Sequence, residues 1–213
     1  MTATRIESDS LGDVAVPVRA LYGAQTQRAV NNFHIGGIAM PAGFIRALGL
    51  IKAAAAHANA ELGLLNTTMA KSIADAAISI ATGQHLEQFP VDVFQTGSGT
   101  STNMNVNEVI ASLASTQSGQ AVHPNDHVNC SQSSNDVIPT AIHVSAELAL
   151  STALIPALHR LADAIAAREK GLADHIKTGR THLMDAVPLS LAQELSGWRE
   201  QLEQAGARID ATR

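Results

Sequence analysis

The chain has 213 residues with fourteen Lys and Arg against nineteen Asp and Glu, a net charge of -5, and nothing in that balance advertises nucleic acid or an anionic membrane as a partner. Hydrophobic residues make up 46% of it, enough for a substantial core, so general disorder is excluded. Aromatics are only 3% while alanine is abundant, which disfavours an aromatic-rich β-sandwich or barrel and predicts a mainly all-α protein.

The first forty residues alternate short apolar pieces with Gly and Pro and predict extended or irregular backbone with brief helical turns. MTATRIESDS places Arg5, Glu7 and Asp9 before any apolar run, unlike a secretory signal, and no stretch is expected to reach the length of a membrane span. A soluble, cytoplasmic protein is the expectation. LYGAQTQRA, from Leu21, contains Arg28, either an ordinary surface residue or an arginine fork that would suit a dicarboxylate.

From Pro41, Phe44, Leu48, Ile51 and Ala55 recur at helical spacing until Gly63. A second helix starts at a cap on Asn66 or Thr67 and stops at Gly83. FQTGSGTSTNMN then passes through a Gly-Ser loop into a helix that begins near Asn103 and carries Val106, Val109, Ile110 and Leu113. Gly97 and Gly99 allow close backbone approach to an anion, and Ser98 and Thr100 supply hydroxyls, although GSGT alone is also a common linker sequence.

His123 to Asp136, HPNDHVNCSQSSND, holds far more donors and acceptors than a turn requires; its plainer reading is a solvated loop ending in a helix cap. Cys130, the single cysteine, excludes an intrachain disulfide and reads as a small semi-buried side chain. His123, Asp126 and His127 could be metal ligands, but Pro124 spoils an i, i+4 helical pair and no metal is expected. Long helical patterns follow, which divides the chain into residues 1–133, a mixed helical domain, and 134–213, the start of a long-helix bundle. Pro156 should start or kink a helix. TGRTHLMDAVPLS, with Gly179 and Pro188, reads as a third polar loop, and Leu191, Leu195, Trp198, Leu202, Ala205 and Ile209 form a seam still in phase at the last residue, which suggests a truncated fragment.

Together LYGAQTQRA, FQTGSGT, HPND, SQSSND and GRTHL closely resemble the class II fumarases of the fumarase/aspartase superfamily, in wording and in order, across nearly the whole chain. The resemblance implies the N-terminal portion of such an enzyme: a helical N-terminal domain followed by the first long helices of a central bundle, truncated at the C-terminus. It implies reversible hydration of fumarate to L-malate without cofactor, in a homotetramer whose active sites are shared between subunits. By the same resemblance His182 is the acid/base, Ser98, Gly99, Thr100, Ser133, Ser134, Asn135 and Thr181 bind substrate with help from Asn103, and His123, Pro124, Asn125 and Asp126 form a second dicarboxylate site. Ser115–Val122, ahead of that second site, carries no Lys or Arg, whereas the family often has basic residues there. The family's GSSxMPxKxN loop, with its catalytic serine, does not occur in these 213 residues, so the chain alone is expected to be nearly inactive. Aspartate ammonia-lyases of the same superfamily tend to read GAGT, SQSTND and GRTQ, which differ at Ser98, Ser134 and His182. A non-catalytic helical scaffold is the other alternative.

Overall fold

The computed structural model describes residues 3–213. They form seven α-helices and two β-hairpins, in two compact units, one ending at Ser145 and the other spanning Ala146–Arg213.

In the first unit, β1 (Thr4–Asp9) and β2 (Gly12–Pro17) pair antiparallel, with Asp9 opposite Gly12. The extended backbone predicted here is thus an ordered hairpin. Asp9 Oδ1 accepts the Leu11 N–H (2.8 Å) in an Asx-type turn, and Gly12 follows at φ +100°. α1 (Ala24–Asn32) leans on this hairpin and on α4 (Thr100–Ser118).

α2 (Ala42–Glu61) starts after Pro41, and α3 (Thr67–Ala81) after Asn66, whose side chain accepts the Thr68 N–H at 2.8 Å. Gly63 and Gly83, at φ +72° and +92°, follow their C-termini, as predicted. Of the predicted face of α2, Phe44 and Leu48 are buried while Ile51 and Ala55 are only partly so; Ile45, Gly49, Lys52, Ala56 and Asn59 complete the buried stripe. The two helices approach closely at Gly49, where a Cβ would lie 2.7 Å from the Ala77 carbonyl oxygen and 2.9 Å from the Ala81 nitrogen. Both obstacles are backbone and cannot swing aside. Gly49→Ala is therefore expected to cost about 3 kcal/mol through overpacking, read as a lower midpoint in urea unfolding; a midpoint equal to wild type would show that the helices slide apart freely.

α4 begins at Thr100 rather than near Asn103, and every residue from Thr102 to Ala111 is buried. Its polar residues therefore need internal partners. Glu108 supplies the clearest case: its carboxylate accepts the backbone N–H groups of Gly23 (2.9 Å), Gln25 (3.0 Å) and Thr26 (3.1 Å), the N-terminal donors of α1, which has no side-chain cap of its own.

Helical backbone then runs without a break from Ser134 to Leu172. It comprises α5 (Ser134–Ala149), a π-helical stretch at Leu150–Leu154 and α6 (Ile155–Leu172). Pro156 falls in the first turn of α6, and the wider π turn before it absorbs the missing donor. By length and composition this run is apolar enough to cross a membrane, which corrects the expectation that no stretch reaches that length. A bundle helix that packs against other helices meets the same criterion.

In the second unit α6 packs on α7 (Leu191–Asp210), tied across the pair by Arg199 to Glu169 (2.9 Å), while Arg199 also meets Glu203 (2.8 Å) one turn along α7. Ser190 and Gln193 cap α7 reciprocally. Leu161 and Trp198, on the seam between the helices, remain half exposed. The third polar loop is a second hairpin, β3 (Ile176–Thr181) and β4 (Met184–Ser190). Its register shifts at Gly179, where a Cβ would meet the Val187 carbonyl oxygen at 2.7 Å. Gly179 and Pro188, the two residues that argued against strands, sit at this bulge.

Candidate active site

The Gly-rich loop is a tight turn, closed by Gly99 N–H donating to the Thr96 carbonyl at 2.9 Å. Gly99 is favoured by its φ of +67°, and a Cβ there would lie 3.1 Å from the side chain of Ile138 on α5, which would have to shift to admit it. Gln95 holds the turn against α4. Its Oε1 accepts the Thr102 N–H (2.8 Å), and its Nε2 donates to Thr102 Oγ1 (2.6 Å) and the Asp92 carbonyl (2.9 Å), an N-cap supplied from outside the helix. The Asp92 carboxylate accepts N–H groups from Phe94, Gly36 and Gly37, which hold its pKa below the usual carboxylate value. Ser98 Oγ and Thr100 Oγ1 lie 2.9 Å apart, both exposed at the positive end of α4.

HPND forms a π-helical turn, Pro124–Val128, with His123 Nδ1 accepting the Asp126 N–H at 3.1 Å and His127 Nδ1 accepting the His123 N–H at 2.9 Å. Both imidazoles brace their own turn. No grouping of three metal-ligating side chains occurs among the described residues.

From Asn129 to Gln132 the chain crosses a buried polar network. Asn129 Oδ1 accepts from Lys52 Nζ (3.0 Å), Asn107 Nδ2 (3.1 Å) and Asn103 Nδ2 (3.2 Å), while Asn129 Nδ2 donates to the Gln132 carbonyl (3.1 Å). Lys52 Nζ also reaches Gln132 Oε1 at 2.9 Å, and Asn59 Nδ2 donates to the Cys130 carbonyl at 2.9 Å. Lys52 is 0% exposed, and burial pushes its pKa down to about 7. Ser131 takes a left-handed φ of 58° so that the loop can turn into α5. There Ser133 Oγ accepts the Asn135 N–H at 3.2 Å, and Asn103 Nδ2 comes within 3.3 Å of Ser134 Oγ.

Within the first unit, then, Ser98, Gly99 and Thr100 at the head of α4 and Ser133, Ser134 and Asn135 at the head of α5 are joined through Gly99 and Ile138 and through Asn103. Two helix N-termini with short hydroxyl and amide side chains can bind carboxylate oxygens without adding a titrating group. His123, Pro124 and Asn125 line a different feature, an open cleft of about 820 Å³ that also borders Arg5 and Arg28. Both guanidinium groups there are engaged: Arg5 donates to the carbonyls of Pro17, Val18, Ala20 and Tyr22, and Arg28 grips Asp9 bidentately (both 2.9 Å). That Arg28 contact holds the Asp9 carboxyl below its ordinary pKa, so Arg28 is a clamp on the first hairpin rather than a free fork.

Thr181 and His182 belong to the second unit, at the tip of the second hairpin, where Thr181 pairs with Met184 and His182 and Leu183 form the two-residue turn. Both turn residues are left-handed, at φ 51° and 60°, without glycine. His182 is exposed, and Leu183 is fully so. Backbone strain of this kind is tolerable for His and costly for Leu.

The buried network escaped sequence reading. Lys52 sits among alanines in IKAAAA, and its position on the face of Ile45, Leu48 and Asn59 was the one signal that could have exposed it.

The chain as a whole is similar to known proteins. A family model described as lyase matches residues 12–213. A class II fumarate hydratase of Xylella fastidiosa is 59% identical over 98% of this chain and 44% of its own length; that of Mycobacterium tuberculosis is 56% identical over 97% and 44%. Among solved structures, a recombinant class II fumarase from Schistosoma mansoni superposes with a TM-score of 0.93 at 42% identity, covering 98% of this chain and 45% of that one. The chain belongs to this lyase family. What it matches within the family is a portion of the class II fumarases, and it spans under half the length of those curated relatives.

Proposed function

We propose that the full-length protein catalyses the reversible hydration of fumarate to L-malate. The observation that carries this reading is the joining of the Ser98/Thr100 and Ser134/Asn135 edges at two helix N-termini. In the hydration direction, water adds to one alkene carbon while the electron pair of the double bond moves toward the carboxylate on the other. That carboxylate becomes an aci-carboxylate with additional negative charge, which preoriented donors stabilise more than they stabilise the ground state. Ser98, Thr100, Ser134 and Asn135, with Thr181 and the first-turn amides of α4, hold the substrate carboxylates in this scheme. His182 takes the proton from the attacking water, a task suited to an imidazole near neutral pH. The proton that then adds to the neighbouring carbon, on the opposite face, comes from a serine on a loop outside this chain, as the family resemblance implies.

The same reading makes the protein a cytoplasmic homotetramer whose active site draws its motif regions from different subunits, with residues from 134 onward opening the central bundle. His123, Pro124, Asn125 and Asp126 form an outer dicarboxylate surface beside the cleft.

Expressed at the full length of its relatives, the protein is expected to form fumarate from L-malate, followed by the ultraviolet absorbance of fumarate, while the 213-residue chain forms almost none. Release of ammonia from aspartate without malate turnover would replace the hydratase reading with that of an ammonia-lyase. Full activity in a sample whose intact mass ends at Arg213 would refute the need for a further loop.

A further inference from the structure

Lys52 is among the largest fully buried side chains, and nothing in the proposed chemistry uses it. Its two hydrogen-bond partners, Asn129 Oδ1 and Gln132 Oε1, are neutral amide oxygens. Burying an ammonium without a carboxylate costs stability, and a methionine would fill similar space without that cost. Filling the core therefore does not account for it.

Its position does. Lys52 lies beneath the Asn129–Gln132 loop that delivers the chain into α5, and Asn129 Oδ1 gathers donors from Lys52, Asn103 and Asn107 on one atom. Asn103, through the same amide nitrogen, reaches Ser134 Oγ at 3.3 Å. Three contacts thus connect the ammonium to a hydroxyl of the carboxylate-binding edge. In its protonated form Lys52 carries a charge that its immediate partners do not cancel, so its field extends through a low-dielectric interior toward the place where a dianion would bind, and a dianion there in turn favours that form over the neutral amine that burial permits near pH 7.

We propose that Lys52 is a positioning residue for dicarboxylate binding: through Asn129 and Gln132 it fixes the loop that presents Ser134, and its buried positive charge raises the affinity of that edge for a dianion. This rests on the dicarboxylate reading of the site.

The test uses the full-length protein and succinate, a dicarboxylate that cannot be hydrated. Wild type, Lys52→Met and Asn129→Asp are titrated calorimetrically with succinate and assayed for fumarate hydration, with folding checked by circular dichroism. Lys52→Met removes the charge. Asn129→Asp leaves Lys52 and its acceptor oxygen in place and neutralises the charge, so it keeps the test open if the methionine variant fails to fold. Each variant is expected to raise the Kd for succinate and the KM for fumarate about tenfold, the size expected of a unit charge acting over roughly 10 Å at an effective dielectric near 20. The change in kcat should stay within about threefold, the split expected of ground-state and transition-state binding lost together. Asn129→Asp also loses the Nδ2 donor to the Gln132 carbonyl (3.1 Å), so Asn129→Ala, which loses it too but leaves the Lys52 charge uncancelled, is titrated beside it: a structural role alone would make the two bind succinate alike. Folded Lys52→Met or Asn129→Asp that binds succinate as tightly as an active wild type overturns the role of Lys52 and spares the site. Wild type that neither binds succinate nor hydrates fumarate overturns the dicarboxylate reading and this inference with it.

Discussion

Glu108→Ala is expected to lower the stability of the chain by about 4 kcal/mol, because it strands three backbone donors whose partner was a single carboxylate. Gly23, Gln25 and Thr26 direct their N–H groups at Glu108 from the start of α1, whose N-cap position is Gly23 and which no side chain of its own caps. The fit is close on both sides, since a Cβ on Gly23 would lie 3.1 Å from Glu108 Oε1. Glu108 is 7% exposed but lines the open cleft together with Gly23 and Gln25, so water entering from that side would recover only part of the lost contacts. Glu108→Gln keeps the shape and one acceptor oxygen but turns an amide NH2 toward backbone donors, so it should fall between alanine and wild type. Urea unfolding followed by far-ultraviolet circular dichroism measures both. A loss below about 1 kcal/mol for alanine, the level of an ordinary surface substitution or little more, would mean that α1 finds other partners.

His182→Asn should reduce kcat of the full-length enzyme about a hundredfold or more, within the range for loss of a positioned general acid or base. The hairpin geometry makes asparagine the informative choice. His182 occupies a left-handed turn position that asparagine adopts readily, so the substitution removes the imidazole while the Thr181–Met184 pairing survives. KM should change far less than kcat, and the melting temperature should not fall. A rate close to wild type would remove His182 from proton transfer. Loss of rate together with a collapsed melting temperature would trace the effect to the turn instead.

How far the sequence foretold these structures depended on what kind of signal each carried. Asn66, Gly63 and Gly83 act locally, through a cap or left-handed backbone, and α2 and α3 begin and end where they place them, while Pro156 marks only the passage from π to α geometry within one continuous helical run. The hairpins hid because neither uses the common turn dipeptides. Ser10 and Leu11 close the first and His182 and Leu183 the second, while Gly179 and Pro188 looked like breakers yet sit at a bulge.

For the site, Ser98, Thr100, Ser134 and Asn135 were legible through family motifs. That they share one edge was not, because Gly99 against Ile138 and Asn103 against Ser134 are contacts between residues more than thirty positions apart. Arg28 could be read as a fork but not as one already occupied by Asp9. Lys52 was hidden because the predicted face of α2, right at Phe44 and Leu48, continued through Ile51 and Ala55, whereas the buried stripe continues through Lys52, Ala56 and Asn59.

α4 carries the candidate binding loop at one end and, two turns later, the carboxylate that clamps α1, with every side chain from Thr102 to Ala111 enclosed. Such a helix has no solvent-facing side along which to loosen one turn at a time. Its central amides should therefore exchange with deuterium only through global unfolding, the slowest in the first unit. The loop at Ser98 is consequently anchored to the last part of that unit to come apart, and a ligand docking there meets a stationary wall.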